Sequence, residues 1–391
     1  MVKLILMTDF TEKYANSLLK GILKYSHQTE PWVVCRMPPS FRKTNGIEGV
    51  VKWALQWNAD AIIAQFEPQD DVSLFKKNGI IAIAQDYKQR FNDIPNITSN
   101  YIAAGRKVAD FFYIKGFSNF AYYGYENVVW SDERGQGFRE GLLENGVDDS
   151  QIYEFRKQSL DDLWYYETQP LKEWLAALPK PVAVFACDDT RANKIIELCN
   201  TMSLRVPIDV AVLGVDNDDI TCLLTYPELS SMSLDIEKAG FETAELITRM
   251  RQGGSQEPYD IIVHDTGIVE RTSTDIFATR NPNVLKALWY IHINISHPIC
   301  VDDVVEQVPV SRRLLEQEFR KETSTSIYEY ISRLRMNKLA QLLLTVDEPI
   351  EALAMRIGLN DSKNLSRQFK TYKGMTPIEP KIRRYFFECL I

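Results

Sequence analysis

Five carboxylates and one guanidinium recur at comparable places in the first part of this 391-residue chain. Asp9 follows the apolar run Leu4–Met7, and Asp86 follows Ile80–Ala84. Asp188 and Asp189 follow Val182–Ala186, while Asp216, with Asn217, follows Val210–Gly214. Arg134 comes early in the stretch after Phe120–Tyr123. A carboxylate accepts from two hydroxyls and a guanidinium donates in a fork, so this set suits a polyol. Phe10, Tyr14 and Trp130 stand nearby in sequence and offer aromatic faces to the apolar side of a sugar ring. An Asp at a strand-to-helix turn is more often an N-cap than a ligand contact, so no single one carries the reading. Their recurrence at equivalent ends does.

The elements that must position these residues are short, continuous apolar runs: those named above together with Trp32–Cys35 and Ala61–Ala64. Amphipathic helical stretches separate them. Continuous apolar runs mark strands covered on both faces, hence a parallel α/β sheet with right-handed helical crossovers. The runs exceed what one small sheet needs. Ser99 to Gly105 opens a helix reaching about Ile114, closed by Lys115-Gly116, and the chain is expected to pass there to a second sheet. Leu229–Leu234 and the helix Asp235 to Arg251 are expected to return to the first. The cleft between two such lobes is a natural ligand site, reached from the carboxyl ends of the strands.

Composition is that of a globular protein, with 45% hydrophobic and 25% charged residues and no low-complexity tract. No run of 18 apolar residues occurs, and the start MVKLILMTDF lacks the pattern of a secretory signal, so a cytoplasmic protein with no membrane partner is expected. Cys35, Cys187, Cys199, Cys222, Cys300 and Cys389 form no CxxC pair, and His292 and His297 are too few for a metal site. Neither a metal nor a cofactor is expected. The net charge of −8 divides unevenly: residues 282–391 hold 16 Lys and Arg against 13 Asp and Glu, net +3, which leaves −11 for residues 1–281. Any DNA contact therefore belongs to a local basic surface in the last part of the chain.

Tyr122-Tyr123-Gly124-Tyr125, Glu133-Arg134-Gly135-Gln136-Gly137-Phe138-Arg139-Glu140-Gly141-Leu142 and Leu213-Gly214-Val215-Asp216-Asn217-Asp218 resemble the effector-binding domain of LacI/GalR regulators and periplasmic sugar-binding proteins. The resemblance spans roughly residues 1–275. It implies a two-lobed, type I periplasmic-binding-protein-like fold in which Arg134 and Asp216 contact the sugar, and it favours Asp86 and Asp189 as further contacts. LacI relatives carry a DNA-binding headpiece before the first strand, whereas this sequence starts at the strand.

After Arg280-Asn281-Pro282-Asn283 the pattern changes to short helices with 3.6-residue periodicity, giving an expected division into a sensor at 1–278 and a second domain at 283–391. Asn283–Asn294, Val301–Gln307 and Ser311–Glu322, with a break at Pro309 and a Ser cap at Ser311, read as a helix-turn-helix. Tyr328–Thr345 is a long helix with Ile331, Leu334, Leu339 and Leu342–Leu344 inward. A second unit follows: Ile350–Ile357, a turn at Gly358-Leu359-Asn360, and a helix from about Asp361 to Tyr372. The pattern Ser311, Leu314, Phe319, Arg333-Leu334, Ala340, Leu343-Leu344, then Ile350, Ala354, Gly358, Ser366-Arg367, Phe369-Lys370, Gly374 and Thr376-Pro377 closely resembles the AraC/XylS DNA-binding domain, an all-α double helix-turn-helix. Leu359 and Leu365 stand where that family usually has aromatics.

A recognition helix reads base edges with one stripe while flanking cations hold phosphates. In the first unit that stripe is Arg312, Arg313, Glu316 and Gln317, with Arg suited to guanine, Gln to adenine and Glu to cytosine. In the second it is Ser362, Lys363, Ser366 and Arg367. Lys321, Lys370 and Lys373 are expected on phosphates. The two helices would enter major-groove segments about 34 Å apart.

A sugar sensor joined to an AraC-type reader is similar to the xylose-operon regulators. The resemblance implies a non-enzymatic transcription regulator, an activator responding to a pentose and binding double-stranded operator DNA as a homodimer. Another sugar or a purine remains an alternative effector. A sugar-converting enzyme finds no GxGxxG, GxxxxGK[ST] or GxSxG to support it.

Overall fold

The computed structural model describes residues 1–10, 13–157, 168–253, 260–276, 279, 281–345, 348–359 and 364–378. The chain divides into two compact units, Met1–Ile114 with Ser118–Thr274, and Lys115–Phe117 with Asp275–Ile391.

The first unit holds two six-stranded sheets. One takes β1 (Val2–Met7), β2 (Trp32–Met37), β3 (Ala61–Ala64), β4 (Ile81–Gln85), β5 (Asn96–Ser99) and, from far along the chain, β11 (Ile261–Val263). Its order is β11-β5-β4-β3-β1-β2, and every pairing is parallel. The other takes β6 (Phe120–Tyr125), β7 (Ile152–Lys157), β8 (Val182–Ala186), β9 (Val210–Val215), β10 (Ser230–Leu234) and β12 (Asp265–Val269), in the order β12-β10-β9-β8-β6-β7. There only β12 runs antiparallel, against β10.

The apolar runs are strands because alternate side chains are wanted on both faces. On β1, Leu4 and Leu6 join one core with Ile22 and Ile247, while Ile5 and Met7 join another with Val50 and Phe75. Those cores are roofed by α1 (Lys13–Gln28), α2 (Pro39–Trp57) and α3 (Ser73–Lys77). The second sheet is covered by α4 (Tyr101–Ile114), α5 (Val129–Glu144), α6 (Thr168–Ala177), α7 (Asp189–Thr201) and α8 (Asp219–Leu224). Finally, α9 (Ile236–Arg251) lies against α1 and so belongs to the first lobe.

The crossings differ from expectation in two details. The chain changes lobe before α4, which packs along α5, and not after it. Strand β10 stays in the second sheet beside β9, and only the helix after it returns to the first lobe. Sequence periodicity identifies a strand but does not say which sheet edge accepts it.

The second unit is helical: α10 (Pro282–Asn294), α11 (Val301–Val305), α12 (Arg312–Thr323), α13 (Ile327–Thr345), α14 (Ile350–Arg356) and α15 (Leu365–Lys373). Ser311 caps α12 by accepting from the Leu314 N–H at 3.4 Å. Along α13, Ile331, Leu334, Leu339 and Leu343 are buried; the Leu344 side chain lies outside the described residues. Met336, Leu339 and Leu343 form the second unit's inner core with Leu353, Ile357, Leu365 and Phe369. Gly358 has φ +74°, and a Cβ there would stand 2.2 Å from the His297 carbonyl, so the turn needs glycine for both conformation and space.

Candidate functional site

The carboxyl ends of the strands of both lobes open onto one cavity of about 420 Å³. From the first lobe come Thr8, Asp9 and Tyr14 after β1, Pro39, Ser40, Arg42 and Lys43 at the start of α2, Gln65 and Glu67 after β3, and Gln85, Asp86 and Tyr87 at β4. From the second come Tyr101, Trp130, Arg134, Asp188, Arg191 and Asp216.

Arg134 reaches the cavity because two helices touch. A Cβ on Gly105 would sit 2.2 Å from the Arg134 carbonyl oxygen, and one on Gly137 would sit 2.0 Å from that of Ile102. Glycine at both places lets α4 and α5 approach backbone to backbone. The buried Arg134 donates from Nη1 to the Cys187 carbonyl at 2.6 Å, and its guanidinium lies 5.2 Å from the Tyr101 ring and 5.5 Å from the Trp130 ring. Its Nε is buried without a partner.

Asp86 accepts through Oδ2 from the Thr98 hydroxyl at 2.5 Å and from Arg90 Nε at 3.1 Å, while its Oδ1 is buried and unpartnered. Burial pushes its carboxyl up to about 6, against the pull of Thr98 and Arg90. Asp216 has φ +98°, and its Oδ1 is likewise buried without a partner. Enclosure pushes its carboxyl to about 6, with Arg134 opposing. Gln85, which also lines the cavity, has a third buried acceptor without a partner, Oε1. A buried polar atom without a partner costs about 1–3 kcal/mol, so the site is built for a ligand that donates several hydrogen bonds.

Asp188 both lines the cavity and caps α7, accepting from the Arg191 N–H at 2.8 Å, with Arg191 Nη1 3.1 Å away. Three residues expected on the ligand lie elsewhere. Asp189 is turned away behind Gly214: it accepts from the Ser231 hydroxyl at 2.5 Å and the Asp218 N–H at 2.6 Å, fixing the turn that presents Asp216. A Cβ on Gly214 would stand 2.3 Å from its Oδ1. Asn217 spends its side-chain oxygen on Arg271 Nη2 at 2.8 Å. Phe10 packs on the first lobe's core beneath the Arg36 guanidinium, 4.0 Å from its ring centre. Tyr87, Tyr101, Gln85 and Arg191 are among the lining residues that the sequence reading did not single out; Gln85 and Tyr87 flank Asp86 at the strand end, which was the available signal.

Polar contacts join the two lobes around this cavity. The Val129 N–H donates to the Tyr87 carbonyl at 2.7 Å, and Arg90 binds Glu133 through both Nη atoms at 2.6 and 2.8 Å. Lys13 Nζ meets the Asn217 carbonyl and stands 3.7 Å from Asp219.

In the second unit, Arg313, Gln317 and Lys321 form an exposed stripe at i, i+4 spacing on α12. Arg312 is exposed beside them but pairs with Asp302 at 2.6 Å, and Glu316 faces the Ile327 N–H at 3.5 Å. On α15, Ser366, Arg367 and Lys370 are exposed around the buried Leu365 and Phe369. Ser362 and Lys363 lie outside the described residues.

Residues 109–274 match the periplasmic binding protein-like domain, and residues 304–381 match the helix-turn-helix domain. The xylose operon regulatory protein of Haemophilus influenzae is 27% identical over 385 residues, covering 96% of this chain and 97% of that protein. A solved xylose-binding transcription activator, 23% identical, shares the fold over 97% of both chains with a TM-score of 0.70. The multiple antibiotic resistance protein MarA of Salmonella typhimurium is 35% identical over 95 residues, which is 24% of this chain and 75% of MarA. Carrying a periplasmic binding protein-like domain ahead of its reader, the chain belongs to the AraC-type helix-turn-helix transcription regulators.

Proposed function

We propose that this regulator senses a pentose-type sugar in the cavity of its first unit and, as a homodimer in the cytoplasm, activates sugar-utilisation genes through its two helix-turn-helix units. One observation carries the sugar assignment: Gln85, Asp86 and Asp216, each with a buried, unpartnered side-chain oxygen, line the same cavity as Arg134, Tyr14, Tyr101 and Trp130. Hydroxyls donate to the three acceptors, the ring oxygen or a hydroxyl accepts from Arg134, and the apolar ring face stacks on an aromatic. The name of the Haemophilus influenzae relative supports a sugar of the xylose class. Arg134, Asp86, Asp216, Asp188 and Tyr14 are the proposed contacts, with the exposed Asp9 at the rim. Arg313, Gln317, Ser366 and Arg367 are the proposed base readers, with Lys321 and Lys370 on phosphates. A sugar favouring one arrangement of the lobes shifts their equilibrium by its differential affinity, and the reader responds.

A thermal-shift screen tests this directly. At 100-fold its Kd a ligand adds about 2.7 kcal/mol of stability, enough for a shift of several degrees. Pentoses are expected to give that shift; a screen in which purines stabilise the protein and sugars do not would overturn the sugar assignment.

A further inference from the structure

The boundary between the two compact units falls between Thr274 and Asp275, inside a stretch whose first residue, Arg271, holds the turn beside the effector site. Arg271 donates through Nη2 to Asn217 Oδ1 at 2.8 Å and through Nη1 to the Leu229 carbonyl at 2.9 Å. Asn217 follows Asp216, which lines the cavity. Their φ angles are +49° and +98°, a backbone that L side chains resist and that neighbours must hold in place. Those neighbours come from both lobes. Ser231 Oγ accepts from the Asn217 N–H at 2.9 Å, Arg271 takes its side chain, and Lys13 of the first lobe meets its carbonyl. The turn therefore answers both to a ligand on Asp216 and to the position of the opposite lobe.

From Arg271 onward the chain is stitched down. The Arg271 N–H donates to Ser230 Oγ at 2.7 Å. Ser273 Oγ accepts from the Ser230 N–H at 2.8 Å and donates to the Val212 carbonyl at 2.7 Å, and Ser273 and Thr274 are fully buried. Asp275 is buried as well, and α13 holds it three times. Arg333 Nη2 stands 3.4 Å from its Oδ1, Asn337 Nδ2 donates to its Oδ2 at 3.3 Å, and the Tyr330 hydroxyl donates to its carbonyl at 3.2 Å. The Tyr330 ring packs edge-on against Phe319 of α12, centroids 5.5 Å apart, on the helix that carries Arg313 and Gln317. Unit boundaries ordinarily fall in exposed, loosely held linkers, and a tether alone needs no buried, hydrogen-bonded side chains.

We infer that Arg271–Asp275 is a strap that carries the effector's signal into the reader: Arg271 takes up the state of the Asp216–Asn217 turn, and Asp275 passes it to α13 and, through Tyr330 and Phe319, to α12. This rests on the sugar-sensor reading. Amide hydrogen exchange on the full chain tests it, with a sugar that calorimetry selects from D-xylose, L-arabinose and D-ribose. In the unaltered protein, bound sugar is expected to change exchange rates in α12 and α13 by about threefold or more. Asp275→Asn removes the carboxylate that Arg333 and Asn337 hold; it is expected to abolish that change while sugar affinity stays within about twofold, since the site is remote from the cavity. Arg271→Met, which keeps the apolar stem, is expected to abolish the change from the other end. If the change survives either substitution, or is absent from the unaltered protein with sugar bound, the strap is wrong and the sugar sensor stands. If none of the three sugars binds, both readings fall.

Discussion

The effector cavity and the reading stripe on α12 solve recognition in opposite ways. The cavity draws its side chains from Thr8 to Asp216 and buries Gln85 Oε1, Asp86 Oδ1 and Asp216 Oδ1 without partners, where each unsatisfied atom is costly. The stripe takes Arg313, Gln317 and Lys321 from three successive turns of one helix and leaves them exposed. Recognition in the first depends on tertiary geometry, and in the second on helical periodicity alone. Substitutions at the two places should therefore be separable.

The largest expected effect is at Arg134. Arg134→Ala removes a charged donor from a buried site and should weaken effector binding about 100-fold, or roughly 3 kcal/mol, with operator affinity of the effector-free protein unchanged. Arg313→Ala, in the α12 stripe, should do the reverse, costing about 1–3 kcal/mol of specific DNA binding in fluorescence anisotropy while calorimetric sugar affinity stays put. If either variant moved both readouts equally, the separation of cavity from stripe would fail.

A smaller effect comes from pH. Asp86 and Asp216 accept from the effector as carboxylates and titrate near 6 in the empty site, so affinity should fall at least about tenfold between pH 7 and pH 5. Stability of the effector-free protein should move the other way. The folded carboxyls hold protons that the unfolded chain, near 3.8, has already released, so these two groups lower stability as pH rises from about 4 through 6. A flat binding profile over that range would remove both carboxylates from the contact set.

The smallest effect is expected at Arg90, which is 35% exposed and stands behind the site, on Asp86, Glu133, Thr98 and the Tyr101 ring. Arg90→Met should weaken effector binding a few-fold, since partly exposed pairs contribute about 1 kcal/mol or less. It should also raise the pH midpoint of binding, because Asp86 loses its cation. A loss of affinity with no shift of that midpoint would make Arg90 a lobe contact and nothing more.

The same contrast governs what the sequence reveals. Ala61–Ala64 and Val182–Ala186 are strands at the positions their apolar runs predict, because a strand buried on both faces is continuous in sequence. Edge strand β7, Ile-Tyr-Glu-Phe-Arg-Lys, alternates and escapes that test, and β11 has only three residues. Ser311, the α12 stripe and Gly358 are local features and could be read directly. Asp189 could not: it follows a strand as Asp86 does, and only the neighbouring Ser231 and Gly214 turn it into a support for Asp216. Tyr101 joins the cavity from a helix start across a lobe crossing that no periodicity records.

The backbone contact of α4 with α5 bears on how the effector is gripped. Gly105 and Gly137 leave no side chain between the helices, so Tyr101 and Arg134 are mounted on what is mechanically one plate, with the guanidinium 5.2 Å from the ring. Neither can drift without carrying the other. A sugar docking there meets a wall whose shape is set before it arrives, and little of its binding energy is lost to ordering that wall.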